Sequence, residues 1–213
     1  MRKRAAVLLS GRGSNAAALF RAAADPAYPA GIVLAVSNVP DAPGLALARA
    51  AGVRAVAIDH RPFGRDRAAH EAAILAELRA AGTEIVCLAG YMRKLTPFLV
   101  GHHAGRMLNI HPSLLPAFPG LDTHARALAA GVKLHGCTVH LVTEVLDDGP
   151  IIAQAAVPVL PGDTEADLAA RVLAQEHRLY PLALALLARG EAGVAPAATA
   201  ALVNPLPEAA RLA

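Results

Sequence analysis

Cysteine is scarce in this sequence. Only Cys87 and Cys137 occur among 213 residues, each inside an apolar, strand-like run. That excludes a disulfide framework and predicts two buried thiols, because unoxidised cysteine behaves as a small hydrophobe. The expected compartment is the reducing cytoplasm. An excess of one charge is also missing. Twenty Lys and Arg stand against 17 Asp and Glu, a net charge of +3, scattered except at Arg2-Lys3-Arg4. Nucleic-acid binding calls for a basic stripe, and there is none. Small anionic molecules are the better-fitting partners. No apolar run reaches the ~18 residues of a membrane span. The first residues have the order of a signal peptide, but the run at 5–9 is too short and Gly11-Arg12 interrupts it.

What is present is apolar and rich in alanine. Hydrophobic residues make up 55% and charged residues 17%, enough for the core of one large α/β domain or two tightly joined halves. Short β-rich runs at 5–9, 32–36, 54–58, 84–88 and 106–110 alternate with helical stretches near 15–24, 44–51 and 67–81. Such alternation predicts βαβ units and a mostly parallel, twisted sheet with right-handed crossovers, flanked by helices. The runs are nearly continuous in hydrophobicity, as when both faces of a sheet are covered. After residue 110 the pattern changes. A Pro-rich loop at 111–121 precedes a helix near 123–130, then strands at 134–142 and 150–157 joined through 143–149. A long last helix opens at Thr164, where Asp167 completes an approximate capping box. Pro181 is expected to kink or split that helix, having no N–H to donate. From Gly190 onward the Ala/Pro-rich tail reads as peripheral.

Ser10-Gly11-Arg12-Gly13-Ser14-Asn15 follows the first strand and opens a helix. Glycines let a backbone approach a ligand closely, and a helix N-terminus presents unpaired N–H groups with partial positive charge. Such a turn suits an anion, usually phosphate. An ordinary tight turn capped by Ser14 or Asn15 is the alternative. The spacing is not G-x-G-x-x-G and no Lys-Ser/Thr closes it, so neither a dinucleotide nor a nucleoside triphosphate is indicated.

The sharpest signal is Asn109-Ile110-His111-Pro112-Ser113-Leu114-Leu115-Pro116. Residues i and i+2 of an extended segment face the same side. Asn109 and His111 therefore project together from a strand's carboxyl end, where open α/β sheets bind ligands. An amide donor beside a protonated imidazole suits stabilisation of a developing oxyanion. A carboxylate partner is offered by Leu146-Asp147-Asp148-Gly149-Pro150, which alone reads as a solvated turn. Beside His111, Asp147 would keep the imidazole charged and collect the proton that an attacking amine loses. A serine nucleophile fits less well: there is no G-x-S-x-G elbow, and Ser113 follows a proline. No metal site is expected, because His102 and His103 are adjacent and neither His-Glu-x-x-His nor Cys-x-x-Cys occurs.

With these residues the chain resembles the phosphoribosylglycinamide formyltransferases, a folate-dependent family. The resemblance runs from about Ala5 to Arg189. It is carried by residues 10–15, Ser37-Asn38, Leu88-Ala89-Gly90-Tyr91-Met92-Arg93, 108–116, Pro119-Gly120, His135-Gly136-Cys137-Thr138-Val139-His140, 146–150, and Gln175-Glu176-His177 with Tyr180-Pro181. It implies a Rossmann-like formyltransferase fold and one catalytic domain over 1–189. That domain would have a nucleotide-binding half to about 103 and a folate-binding, catalytic half after it. It implies transfer of a formyl group from 10-formyltetrahydrofolate to the amine of glycinamide ribonucleotide in purine biosynthesis, by direct attack through a tetrahedral intermediate. The co-substrate is the formyl-folate, with no metal. Carried over residue by residue, Asn109, His111 and Asp147 would be catalytic. Gly13, Ser14 and Asn15 would hold the nucleotide phosphate and Glu176 its ribose. Arg67, Met92, Arg93, Leu95, Thr143, Glu144, Val145 and Leu146 would line the folate site. Monomer and homodimer both remain open.

Three residues depart from the family's pattern. Lys94 takes a place associated with an apolar residue and is expected to point outward. Asp122 stands where some relatives have histidine. Asp148 replaces a glycine common in Asp-Gly-Gly-Pro and sets a second negative charge beside Asp147. Related enzymes share the Asn–His–Asp set. A formyltetrahydrofolate hydrolase would carry a further N-terminal domain, and the first strand here begins near Ala5. A methionyl-tRNA formyltransferase would need a C-terminal RNA-binding domain, and the residues after Arg189 are few and not basic. A sugar-nucleotide N-formyltransferase matches residues 10–15 less well. A non-catalytic nucleotide-binding module explains the glycine loop but gives no reason for Asn109, His111 and Asp147 to occur together.

Overall fold

Strand β1 (Lys3–Leu9) lies mid-sheet because both of its faces are apolar. Ala5, Val7 and Leu9 join one core cluster, while Ala6 and Leu8 join another on the opposite face. In this computed structural model residues 1–192 are described. The tail expected to be peripheral lies outside the described residues from 193 onward.

Around β1 the chain folds as α1 (Ser14–Ala24), β2 (Ala30–Ser37), α2 (Pro43–Ala50), β3 (Arg54–Ala57), α3 (Arg67–Ala80), β4 (Ile85–Leu88), α4 (Pro97–His102), β5 (Met107–His111), α5 (Thr123–Ala129), β6 (Leu134–Leu141), β7 (Ile151–Pro158) and α6 (Glu165–Arg189). One seven-stranded sheet results, in the order β3-β2-β1-β4-β5-β6-β7. Strands β1 to β5 pair in parallel and β6 runs antiparallel to both its neighbours. Helices α1, α2 and α6 cover one face through Leu19, Phe20, Leu45, Val172, Tyr180 and Leu184. The other face is covered by Ile74, Leu75 and Leu78 of α3 and Leu99 of α4. This is the predicted mostly parallel α/β sheet with helices on both sides. The strand order reverses between β1 and β4, and ligands of open α/β sheets bind at such a crevice.

The last helix corrects an expectation. Helix α6 runs unbroken from Glu165 to Arg189, so Pro181 does not split it. One helix hydrogen bond is lost, but Leu179, Tyr180, Ala183 and Leu184 around it are fully buried, and their packing holds the helix together. Its start is as expected. Thr164 and Asp167 form a reciprocal capping box. Tyr180 also ties the sheet at the end that matters, its hydroxyl sharing one proton between the carbonyls of Leu88 (2.9 Å) and Leu108 (3.2 Å). A helix at Pro97–His102 and a 3-10 turn at Arg61–Phe63 were not expected from sequence.

Candidate active site

Strand β5 delivers Asn109 and His111 at its carboxyl end, and the antiparallel β6 sets His140 opposite Asn109 and Thr138 opposite His111. Thr138 fixes the exit of β5. Its hydroxyl donates to Ser113 O (2.7 Å) and accepts from Leu115 N (3.0 Å) and Gln154 Nε2 (3.0 Å). The stiff loop after His111 thus rests on the neighbouring strand.

Asp147 enters from the turn between β6 and β7. Its φ of 54° lies in the left-handed region, which aspartate and asparagine tolerate better than most residues. The turn doubles back so tightly that a Cβ on Gly149 would lie 1.7 Å from the Leu141 carbonyl oxygen, so only glycine fits there. Gly120 N donates to Asp147 Oδ2 at 2.9 Å. His111 Nδ1 lies 3.5 Å from the same oxygen, with both side chains under a tenth exposed. That separation is too long for a good hydrogen bond. His111 Nε2 faces the Phe118 carbonyl at 3.1 Å, so Nε2 carries a hydrogen and donates it. The Nδ1 edge is therefore the one that faces Asp147.

Sequence reasoning gave His140 no role, yet it completes this cluster. His140 Nδ1 lies 2.9 Å from Leu141 O and must donate, because a carbonyl only accepts. That leaves Nε2 as an acceptor, 3.2 Å from Asn109 Nδ2. Burial, the largest influence, pushes the His140 imidazole below its usual range and keeps it neutral, against the opposing effects of the Leu141 hydrogen bond and Asp147. The tautomer fixes the Asn109 amide with its NH2 toward the site and one hydrogen free. The half-polar alternation of β6 placed His140 in a strand but not opposite Asn109, which only the pairing with β5 shows. Asp148 and Asp122 are both exposed. Asp122 precedes α5 with φ 55° and makes no side-chain cap.

The loop at 10–15 opens α1 as expected, with Gly13 at φ 74°. A side chain on Gly13 would first strike Gly44, whose Cα would lie 2.7 Å from the added Cβ. The glycine is thus required by its left-handed backbone and by packing against α2, besides any close approach of a ligand. Asn15 Nδ2 donates to Glu176 Oε2 at 2.6 Å, joining residues 161 positions apart. Burial raises the Glu176 carboxyl above its ordinary range, and this bond opposes the rise. A cleft of about 340 Å³ lies where the strand order reverses, lined by Ser10, Gly11, Gly13, Asn15, Gly90 and Met92 among others.

Met92 is 68% exposed, Val145 61% and Leu146 59%. These large apolar side chains lie open on the segments leaving β4 and β6. Thr143 Oγ1 donates to Val145 O at 3.1 Å and shapes that turn, with Glu144 exposed beside it. Leu95 packs against the core and Arg93 is half-buried, while Lys94 is exposed as expected. Arg67 stands exposed on the first turn of α3 and its side chain makes no hydrogen bond or ion pair among the described residues. The structure does not draw it to the other residues of the set. Glu71, another residue without a role at the sequence level, is buried and accepts from Thr96 N (2.7 Å), Thr96 Oγ1 (2.6 Å) and Leu99 N (3.3 Å). It caps α4 and anchors the far end of the segment carrying Met92 to Leu95.

Comparison with known proteins bears on this site as a whole. A family model described as formyl transferase matches residues 3–184. The chain is 46% identical to the phosphoribosylglycinamide formyltransferase of Escherichia coli (strain K12), over 86% of each. It is 47% identical, over 92% of its own length, to the trifunctional purine biosynthetic protein adenosine-3 of Drosophila melanogaster, of which it spans only 14%. The solved glycinamide ribonucleotide transformylase 1 of Symbiobacterium toebii superposes with a TM-score of 0.86 at 49% identity, covering 89% of each chain. The phosphoribosylglycinamide formyltransferase of Brucella melitensis gives 0.84 at 56%, covering 92% of this chain and 99% of that one.

Proposed function

The chain belongs to the formyl transferase family, and we propose that it transfers the formyl group of 10-formyltetrahydrofolate to the amine of glycinamide ribonucleotide in purine biosynthesis. The observation that carries this reading is the convergence of Asn109, His111 and Asp147 at one strand end, beside a nucleotide-sized cleft. Residues 1–189 form the catalytic unit. Its nucleotide subsite is Gly13, Ser14 and Asn15 for the phosphate and Glu176 for the ribose hydroxyls. The Asn15–Glu176 bond brings these groups together from opposite ends of the unit. The exposed Met92, Val145 and Leu146 would pack against the ring faces of a folate, with Arg93, Leu95, Thr143 and Glu144 beside them. Arg67 is left as a peripheral contact for the folate's acidic tail.

The chemistry follows from the hydrogen-bond inventory. The neutral substrate amine attacks the formyl carbon, and the formyl oxygen gathers negative charge. The free hydrogen of Asn109 Nδ2 and, with the imidazole protonated, the Nδ1–H of His111 face that charge and stabilise the tetrahedral intermediate. Asp147 takes the proton that the amine sheds, directly or through water, and passes it toward the departing folate nitrogen. Gly120 N, by holding Asp147 Oδ2, orients the acid. Setting amine and donor side by side supplies a further share of the rate, on the order of several kcal/mol.

Acceptor choice tests the proposal. The purified chain is given 10-formyltetrahydrofolate with glycinamide ribonucleotide, with formylatable methionyl-tRNA, with an amino-sugar nucleotide, or with buffer alone. Donor consumption should depend on glycinamide ribonucleotide and match formylated product one for one. Equal consumption in buffer alone would make water the acceptor and reject the proposal.

A further inference from the structure

Three neighbouring strand ends meet at a single hydroxyl. β1 lies between β2 and β4 in the sheet, and Ser10 is the first residue after β1. Its Oγ donates to Asn38 Oδ1 at 2.6 Å, just past the end of β2. The same oxygen accepts from Met92 N at 2.8 Å, beyond the end of β4. Ser10 N meanwhile donates to Gly90 O at 3.1 Å. Asn38 is itself buried at 3% exposure, with His60 Nδ1 2.9 Å from its carbonyl oxygen. Asn38 is thus held from the β2 side, and the two turns on either side of Ser10 are joined to one another through its hydroxyl and backbone.

Those two turns belong to different half-sites in the proposed function. Residues 11–15 form the phosphate cradle and Met92 opens the folate-side segment, and both line the same cleft. We infer that Ser10 is a positioning residue that couples the nucleotide and folate half-sites, so that occupation of one raises affinity for the other. The inference rests on the proposed function. The physical ground is shared ordering. A ligand that fixes either turn also fixes the Ser10 hydroxyl, and hence the turn on the other side. The second ligand then meets an ordered partner and loses less conformational entropy on binding. Alanine at this position would leave the Met92 N–H and Asn38 Oδ1 without their shared partner and unlink the turns.

Calorimetric titration tests this with glycinamide ribonucleotide and unformylated tetrahydrofolate, a pair that binds without reacting. Each affinity is measured alone and with the other ligand saturating. In the wild-type chain the coupling should be reciprocal and about fivefold or more, the lower end of typical allosteric couplings. Ser10→Ala should bring the factor close to one, with each ligand's affinity alone changing less than the coupling does. Ser10→Thr keeps the hydroxyl and should keep the coupling. A merely structural role would weaken both ligands and leave their ratio intact. Ser10→Ala with wild-type coupling, or a wild-type chain that binds both ligands independently, overturns the inference and leaves the proposed function standing. A wild-type chain that binds neither ligand overturns both.

Discussion

Asp147 sits at φ 54° with its carboxylate shared between Gly120 N and the edge of His111. Asparagine is the substitution that tests its charge without disturbing the turn, because it tolerates the same backbone region and keeps one acceptor oxygen. Asp147→Asn should lower kcat by ~10²–10⁴, the usual worth of a general acid–base group, with much smaller changes in KM. Asp148 is exposed, so Asp148→Gly should be nearly silent in the same steady-state assay. An active Asp147→Asn beside a dead Asp148→Gly would move the role to Asp148. Gly13→Val is a poorer probe of the phosphate cradle, since its side chain collides with Gly44 and would destabilise α2 along with binding. At this scale Asn109 and His111 were legible through their two-residue spacing, and Asp147 as the carboxylate that the turn at 146–150 offers to His111. His140 was hidden. A histidine alternating within a strand looks like any core histidine until its register opposite Asn109 is known, and register is a property of strand pairing.

Strand and helix periodicity was easier to see. The alternation of apolar strands with alanine-rich helices marked β1 to β5 and α1 to α3 within a few residues, most plainly at β1 and β4, whose near-continuous apolar runs suit strands covered on both faces. Helix α4 escaped because it has six residues and its cap, Glu71, arrives from α3. Such a cap cannot be read from local sequence. Pro181 misled for a related reason. Local chemistry argued for a kink or a split, and burial on both sides of the proline overruled the split. The neighbouring Tyr180 gives this scale its prediction. Its hydroxyl serves two carbonyls, on β4 and on β5 directly before Asn109. Tyr180→Phe leaves both without that donor in a buried setting, so chemical denaturation should show a loss of about 1–3 kcal/mol. Unchanged stability would mean that the hydroxyl does nothing to hold β4 and β5 together.

The whole molecule should be acid-sensitive in a window that its histidines set. Burial, followed by the neighbouring His124, pushes His135 from 6.5 down to about 4. His70, His103, His124, His140 and His177 are displaced in the same direction, burial leading in each case. Between about 4 and 6.5 the unfolded chain binds more protons at these sites than the folded one. The stability these imidazoles contribute is thus complete above pH 6.5 and falls as pH drops through that window, the buried Glu176 carboxyl acting in the opposite sense. Asp59 and Asp163, held to about 2 chiefly by hydrogen bonds from Arg61 and Arg171, contribute only lower, from 3.8 downward. Melting temperature measured across the histidine window should decline steadily with acid, and His135→Gln should decline less steeply. A flat profile for the wild-type chain would contradict this reading of the buried imidazoles.

Direct transfer between two bound substrates is the centre of the account, and one single-turnover measurement tests it. The chain in excess is mixed with glycinamide ribonucleotide and 10-formyltetrahydrofolate carrying a labelled formyl carbon, then quenched across the time course. All label should pass from folate to the ribonucleotide amine, with none covalently held on protein at any time. Label trapped on the chain, or released as formate while the ribonucleotide stays unformylated, would contradict the account.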